Sequence, residues 1–265
     1  MKSILFAAGF VMQAVLYTWA VPKHAGYPFD GHTGFSASNL TERLSAGSFS
    51  VAVWVRLEEV KRAQMFLTLG QPNQDFSLYL YNDAVRLLIE GSEGQYGFAL
   101  AKAPQTNAWT HYAGTYDGKA AKIYRNGVLE GRKAIPLKRS AFKEPLTVGV
   151  VSGSDERILK GNLTDIRVWN RVLDDAEVKA VCGGEARPGL EDHLLGRWDT
   201  QPTDTVIESR VAGAPVLTKI QPMLATVQNR KLDGFRGIWY FNQPLKNEFV
   251  YKYSGGLGTY CANHS

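Results

Sequence analysis

The sequence is short of several things, and each shortage closes off a class of protein. Two cysteines among 265 residues, Cys182 and Cys261, cannot make a multi-bridge disulfide scaffold, so the fold has to rest on a packed core. Net charge is +5, yet no run of five or more like charges occurs. A nucleic-acid footprint needs clustered basic residues, so nucleic acid is not expected as a partner. Beyond about residue 20 no apolar run is long enough to span a bilayer, so no membrane span is expected. The Gly-rich stretch "SGGLG" (254–258) lacks the Lys-Ser/Thr of a phosphate loop. What is present is a chain 45% apolar and 11% aromatic, enough for a substantial core and too much for global disorder.

Residues 1–20 read as a separate object. Lys2 supplies a short positive region, Ile4 to Tyr17 is an apolar run, and Thr18-Trp19-Ala20 ends on a small residue. This is the pattern of a secretory signal cleaved near Ala20, which predicts a secreted, periplasmic or extracellular product. Export permits disulfides. A Cys182–Cys261 bridge and two unpaired thiols are both compatible with the count.

From Phe29 to about Val181 the text is strand after strand, with turn signals at about eight- to twelve-residue spacing, as in a β-sandwich. "FSVAVWVRL" (49–57) alternates Phe49, Val51, Val53, Val55 and Leu57 against Ser50, Ala52, Trp54 and Arg56. "DFSLYLYND" (75–83) sets Phe76, Leu78 and Leu80 against Ser77, Tyr79 and Tyr81, and "AVRLLIEG" (84–91) continues the pattern. Asp117-Gly118 and Asn126-Gly127 predict type I′ turns, making 109–133 a three-stranded meander. One short helix is predicted at 174–181, capped by Asp174 or Asp175. "HLLGRWDTQ" (193–201) reads as a further strand, and 204–208 and 215–220 carry weak strand signals.

The stretches "FDG" (29–31), "FSVAVWVRL", "WTHYAGTYDGKAAKIYRNGVLEG" (109–131) and "GNLTDIRVWNRVLDDAEVKAV" (161–181) resemble the LamG-like jelly roll of the concanavalin A-like lectin/glucanase superfamily, which also holds the pentraxins. The resemblance implies an all-β antiparallel sandwich over residues 21–200, with 201–230 as linker and edge strand. Residues 231–265 differ in texture. "GFRGIWYFNQPLKNEFVYKYSGGLGTYCANHS" (234–265) resembles the opening of secreted BNR-type β-propellers, which are sialidase-like or polysaccharide-degrading proteins. A propeller needs several blades of about forty residues each, and this segment supplies less than one.

Those resemblances frame the chemistry. The related glucanases carry their two carboxyls as Glu-x-Asp-x-x-Glu on one strand, and no such spacing occurs here. "SGSDERIL" (152–159) lacks the Gly and Trp of a sialidase Asp box. The sequence therefore predicts a non-catalytic binding module. Pentraxin relatives hold calcium between two loops whose counterparts here are 71–75 and 152–157, which makes Asn73, Asp75, Asp155 and Glu156 candidate Ca²⁺ ligands, with Asp30 and Asp165 as alternatives. For glycan contact, Tyr79 and Tyr81 are expected on a solvent face, with Arg86 and Glu90 beside them to fix hydroxyls. Cross-strand packing is the alternative role for this pair. The expected function is carbohydrate binding, as a targeting domain of a polysaccharide-active protein. The alternatives are a laminin G-like module that binds a cell-surface protein, and the N-terminal fragment of a propeller hydrolase or lyase.

Overall fold

The computed structural model describes residues 21–22, 25–38, 40, 43–44, 47–69, 76–91, 94–137, 139, 145–150 and 157–220, with the short strand segments 223–224, 238–239, 252–253 and 256–257. In chain order the strands begin with β1 (Tyr27–Asp30), β2 (Gly34–Ala37), β3 (Phe49–Leu57), β4 (Gln64–Leu69), β5 (Phe76–Tyr81) and β6 (Ala84–Glu90). They continue with β7 (Tyr96–Lys102), β8 (Thr110–Tyr116), β9 (Ala120–Arg125), β10 (Val128–Ala134), β11 (Leu146–Val148) and β12 (Lys160–Trp169). Helix α1 (Asp175–Gly183) follows, then β13 (Leu194–Trp198), β14 (Val206–Ile207) and β15 (Leu217–Ile220).

These strands make two antiparallel sheets. Sheet A runs β1-β12-β3-β8-β9-β10, with β13 also paired to β12; sheet B runs β14-β15-β2-β11-β4-β5-β6-β7. The inward residues predicted by alternation meet in one core: Val51, Val53 and Val55 of sheet A face Leu78, Leu80, Val85 and Leu87 of sheet B. Phe49 and Phe76 join the two sheets by stacking at 4.3 Å between ring centroids. The weak strand signals past residue 200 correspond to β14 and β15, which complete the edge of sheet B against β2.

Local sequence rules account for most of the connections. Asn126 and Gly127 have φ of 50° and 72°, the type I′ geometry that the dipeptide predicts. The Asn126 side chain also accepts from the His111 N–H at 2.9 Å, locking the turn to β8. Asp117-Gly118 departs from expectation. Only Gly118 of the two has positive φ, and the Asp117 carboxylate accepts from the N–H groups of Lys119 and Ala120 at 2.8 and 2.7 Å. The connection is a three-residue Asx-type loop, because the carboxylate substitutes for the backbone turn bond. A second tight two-residue turn lies at Asn82 and Asp83, both in the left-handed region, between β5 and β6.

Helix α1 is capped by Asp174, whose side chain accepts from the Glu177 N–H at 2.7 Å while Glu177 accepts from the Asp174 N–H at 2.8 Å. This reciprocal capping box leaves few orphan donors at the helix start. Arg171 grips the same Glu177 with two nitrogens, at 2.9 and 2.8 Å. The helix lays Val178 and Val181 on the outer face of sheet A, over Ala52, Ala113, Tyr124 and Trp169. At the opposite edge the sandwich is closed: Glu130 of β10 accepts from the Lys102 N–H of β7 at 2.8 Å, which blunts the edge of sheet B.

Candidate functional site

Two surface features carry polar chemistry, one on the outer face of each sheet. On sheet B the ladder places Tyr79 opposite Arg86, Arg86 opposite Leu100, Leu88 opposite Phe98 and Glu90 opposite Tyr96. The Arg86 guanidinium sits 4.5 Å from the Tyr81 ring centroid and 4.6 Å from that of Phe98, between two aromatic faces. Such placement is a cation–π clamp, which fixes both rings and the guanidinium together. Arg86 Nε is covered and has no hydrogen-bond partner. Tyr96, at the sheet edge, is 67% exposed.

Four residues expected to form an open sugar face thus do lie on one face, but unequally. Tyr81 and Arg86 are half-buried and available. Tyr79 is corrected from solvent-facing to buried, at 5% exposure, and Glu90 is buried as well. Tyr79 packs with Met65 and Leu88, and the Arg157 guanidinium covers its ring at 5.6 Å. Burial pushes its hydroxyl pKa up, partly offset by Arg86 and Arg157. Alternation identified the face; it missed Phe98 and Tyr96, which complete the aromatic surface from the neighbouring strand.

The second feature is a cleft of about 320 Å³ between α1 and the outer face of sheet A. Trp54 of β3 and Pro22 line it together with Val181 and Cys182 of the helix, and Asp165, Arg197, Asp199 and Arg210 supply charge. Asp165 sits at a bulge in β12, with φ of 48°, where the β12–β3 register shifts between Thr164 and Arg167. The bulge turns its carboxylate outward, and Arg167 grips it with Nε and Nη2, both at 2.7 Å. Arg197 Nε approaches Asp165 at 3.2 Å and Asp199 at 3.9 Å, and Asp199 pairs with Arg210 at 2.5 Å. Burial opposes the Asp165 charge, but Arg167 and Arg197 outweigh it and hold the pKa below the usual carboxylate range. Behind Trp54, 5.2 Å away ring to ring, lies the fully buried His111. Its Nδ1 has no hydrogen-bond partner, and burial pushes its pKa down to about 3.

Comparison with known proteins fits this architecture. The family model Laminin_G_3, described as Concanavalin A-like lectin/glucanases superfamily, matches residues 29–179. The chain belongs to this superfamily. Mouse pentraxin-related protein PTX3 is 24% identical over 174 residues, covering 60% of this chain and 45% of that protein. The chain therefore spans about half the length of the curated relatives it matches. A candidate carbohydrate-binding protein from Bacteroides ovatus superposes with a TM-score of 0.57 at 18% identity, over 72% of this chain and 56% of that one. Domain 4 of AbnA, an extracellular arabinanase of Geobacillus stearothermophilus solved with arabinotriose, gives a TM-score of 0.49 at 23% identity, over 58% and 75%.

The calcium expectation for this superfamily member, on Asn73, Asp75, Asp155 and Glu156, lies outside the described residues, as do the signal at 1–20 and Cys261. No group of three or more His, Cys, Asp or Glu arranged to hold a metal occurs among the described residues. Asp165 is engaged by two arginines, and Asp30 accepts from His32 N–H and Thr33 Oγ1 in a local turn. Cys182 is buried in α1, and burial pushes its thiol pKa up to about 12.

Proposed function

We propose that the protein is an exported, lectin-like module that binds glycan on the outer face of sheet B and does no chemistry on it. One observation carries this reading. Arg86 is clamped between Tyr81 and Phe98 next to the exposed Tyr96, which gives rigid aromatic faces and a fixed cation on an open sheet surface. A pyranose ring presents C–H groups to such faces and hydroxyls to such cations, and little side-chain entropy is lost because the groups are already held. The name of the Bacteroides ovatus structure, a candidate carbohydrate-binding protein, supports the same direction.

Asp165 of the charged cleft does not suit the general-acid role of a glycosidase. Glycosidic cleavage needs a carboxylic acid that keeps its proton, and Asp165 is held ionised by Arg167 and Arg197. The signal-like first twenty residues support export. The likeness of residues 234–265 to a propeller opening supports service as the targeting domain of a polysaccharide-active protein. A glycan array probed with the full chain tests the reading: binding to a defined polysaccharide class, weakened by Tyr81→Ala, is expected. A blank array with a correctly folded chain overturns it.

A further inference from the structure

Beside the aromatic clamp of sheet B, at the C-terminal end of β7, lies a groove of about 490 Å³. Asp83 and Ala84 of the β5–β6 turn line it, with Leu100, Ala101 and Lys102 of β7 and Glu130 of β10. The ladder makes clamp and groove neighbours. Leu100 stands opposite Arg86, and Ala84 is the cross-strand partner of both Tyr81 and Lys102. Partners across an antiparallel ladder project to one face, so Tyr81, Arg86, Leu100 and Lys102 share one surface. Along β7 that surface runs from Phe98 through Leu100 to Lys102, about 13 Å at strand rise, which is longer than a single sugar ring.

The groove sets an apolar floor between polar groups that the fold leaves unused. Leu100, 44% exposed, is the floor. Among the described residues, neither the Asp83 carboxylate nor the Lys102 ammonium makes an ion pair or a side-chain hydrogen bond. Their backbones are held: Asp83 sits in the turn with φ of 61° and accepts from the Ala103 N–H, while the Lys102 N–H donates to Glu130. Glu130 has nothing to spare, since its other oxygen accepts from Arg125 Nε at 2.7 Å. With Glu130 offset by Arg125, the groove presents one unpaired carboxylate and one unpaired ammonium, and no net charge.

We propose that this groove is a second subsite of the sheet B face, and that the ligand is a neutral oligosaccharide lying along β7 rather than a single sugar. The proposal rests on the reading of that face as the glycan site. One ring lies against the Tyr81–Phe98 clamp. The next lays its C–H face on Leu100, with one hydroxyl donating to Asp83 and another accepting from Lys102. Hydroxyls both donate and accept, so a neutral sugar satisfies a carboxylate and an ammonium together. An acidic sugar would set its own charge beside Asp83, and like charges in contact select against it.

The test follows the backbone amide resonances of the full chain by NMR. Xylose, glucose, mannose and arabinose are added in turn, then xylotetraose, cellotetraose, mannotetraose and arabinotetraose, with tetragalacturonate as the acidic counterpart. In the series that binds, the monosaccharide is expected to shift amides around Tyr81 and Phe98 only. Its tetrasaccharide is expected to shift Ala84, Leu100 and Lys102 as well, and to bind about tenfold tighter. Asp83→Gly removes the carboxylate and keeps the turn, because glycine accepts positive φ. That variant is expected to weaken tetrasaccharide binding about tenfold and to leave the monosaccharide unaffected. A tetrasaccharide that shifts only the clamp, or that binds Asp83→Gly as tightly as wild type, would overturn the subsite and leave the clamp standing. Tetragalacturonate binding more tightly than every neutral oligomer would overturn the neutral ligand. No shift at Tyr81 or Phe98 with any probe would overturn the reading of the face itself, and the subsite with it.

Discussion

His111 makes the stability of this sandwich depend on pH in a direction that can be worked out in advance. The ring is fully buried on the outer face of sheet A, tilted against Trp54, with Nδ1 unpartnered. Burial lowers its pKa from 6.5 to about 3; Asp165 pulls it upward and Arg167 pushes it further down. The unfolded chain takes a proton on this residue near pH 6.5, whereas the folded chain does not until far lower. Stability is therefore complete above about pH 6.5 and is lost as pH falls, at about 1.4 kcal/mol per unit once the unfolded ring is fully charged. Between about pH 7 and about pH 5 the loss from this one residue is about 2 kcal/mol.

The assay is urea unfolding of the wild type and His111→Phe, with midpoint and slope measured across that range. Phenylalanine keeps a ring against Trp54 on a strand that favours aromatics, and it removes the proton. Every other residue is common to both chains, so the difference between them isolates position 111. The wild type should lose about 2 kcal/mol relative to the variant on acidification. A stability difference that is the same at both ends of the range would refute the reasoning: the imidazole would then be reaching a proton or a partner in the folded state.

Three further outcomes follow from the packing. A Cβ added at Gly131 would overlap the Leu100 carbonyl oxygen where β10 meets β7, so Gly131→Ala should cost about 2–3 kcal/mol in chemical unfolding; an unchanged midpoint would show that the edge strands separate freely. Asp174→Ala should lower stability by about 1 kcal/mol by removing the α1 cap, read as a fall in melting temperature, and Asp174→Asn should restore most of it. In a Cys261→Ser chain, Cys182 should resist iodoacetamide until urea unfolds the protein, because its buried thiol holds its proton; rapid labelling of the native chain would contradict that placement.

The framework was legible because its rules are local. Period-two alternation gave the inner faces of β3, β5 and β6; Asn126-Gly127 and Asp174 could be read as turn and cap because their side chains act on their own backbone. Tyr79 shows the limit of that logic. Alternation says which face a residue is on, and not that Arg157, far along the chain, will cover it. The cleft was less legible still, since its charges come from positions 165, 197, 199 and 210, joined only by the fold. One trace of it was present: in "GNLTDIRVW" the inward residues Leu163, Ile166 and Val168 are spaced three and then two, and that slip marks the bulge that turns Asp165 outward.

The central claim is that the Tyr81–Arg86–Phe98 surface binds glycan, and calorimetric titration of the best array polysaccharide into wild type and Tyr81→Ala tests it most directly. Loss of one ring of the clamp should weaken binding by about tenfold, some 1.4 kcal/mol, with the unfolding midpoint nearly unchanged because Tyr81 is half-buried at a strand end. Equal affinity in the two chains, with both folded, would contradict the account.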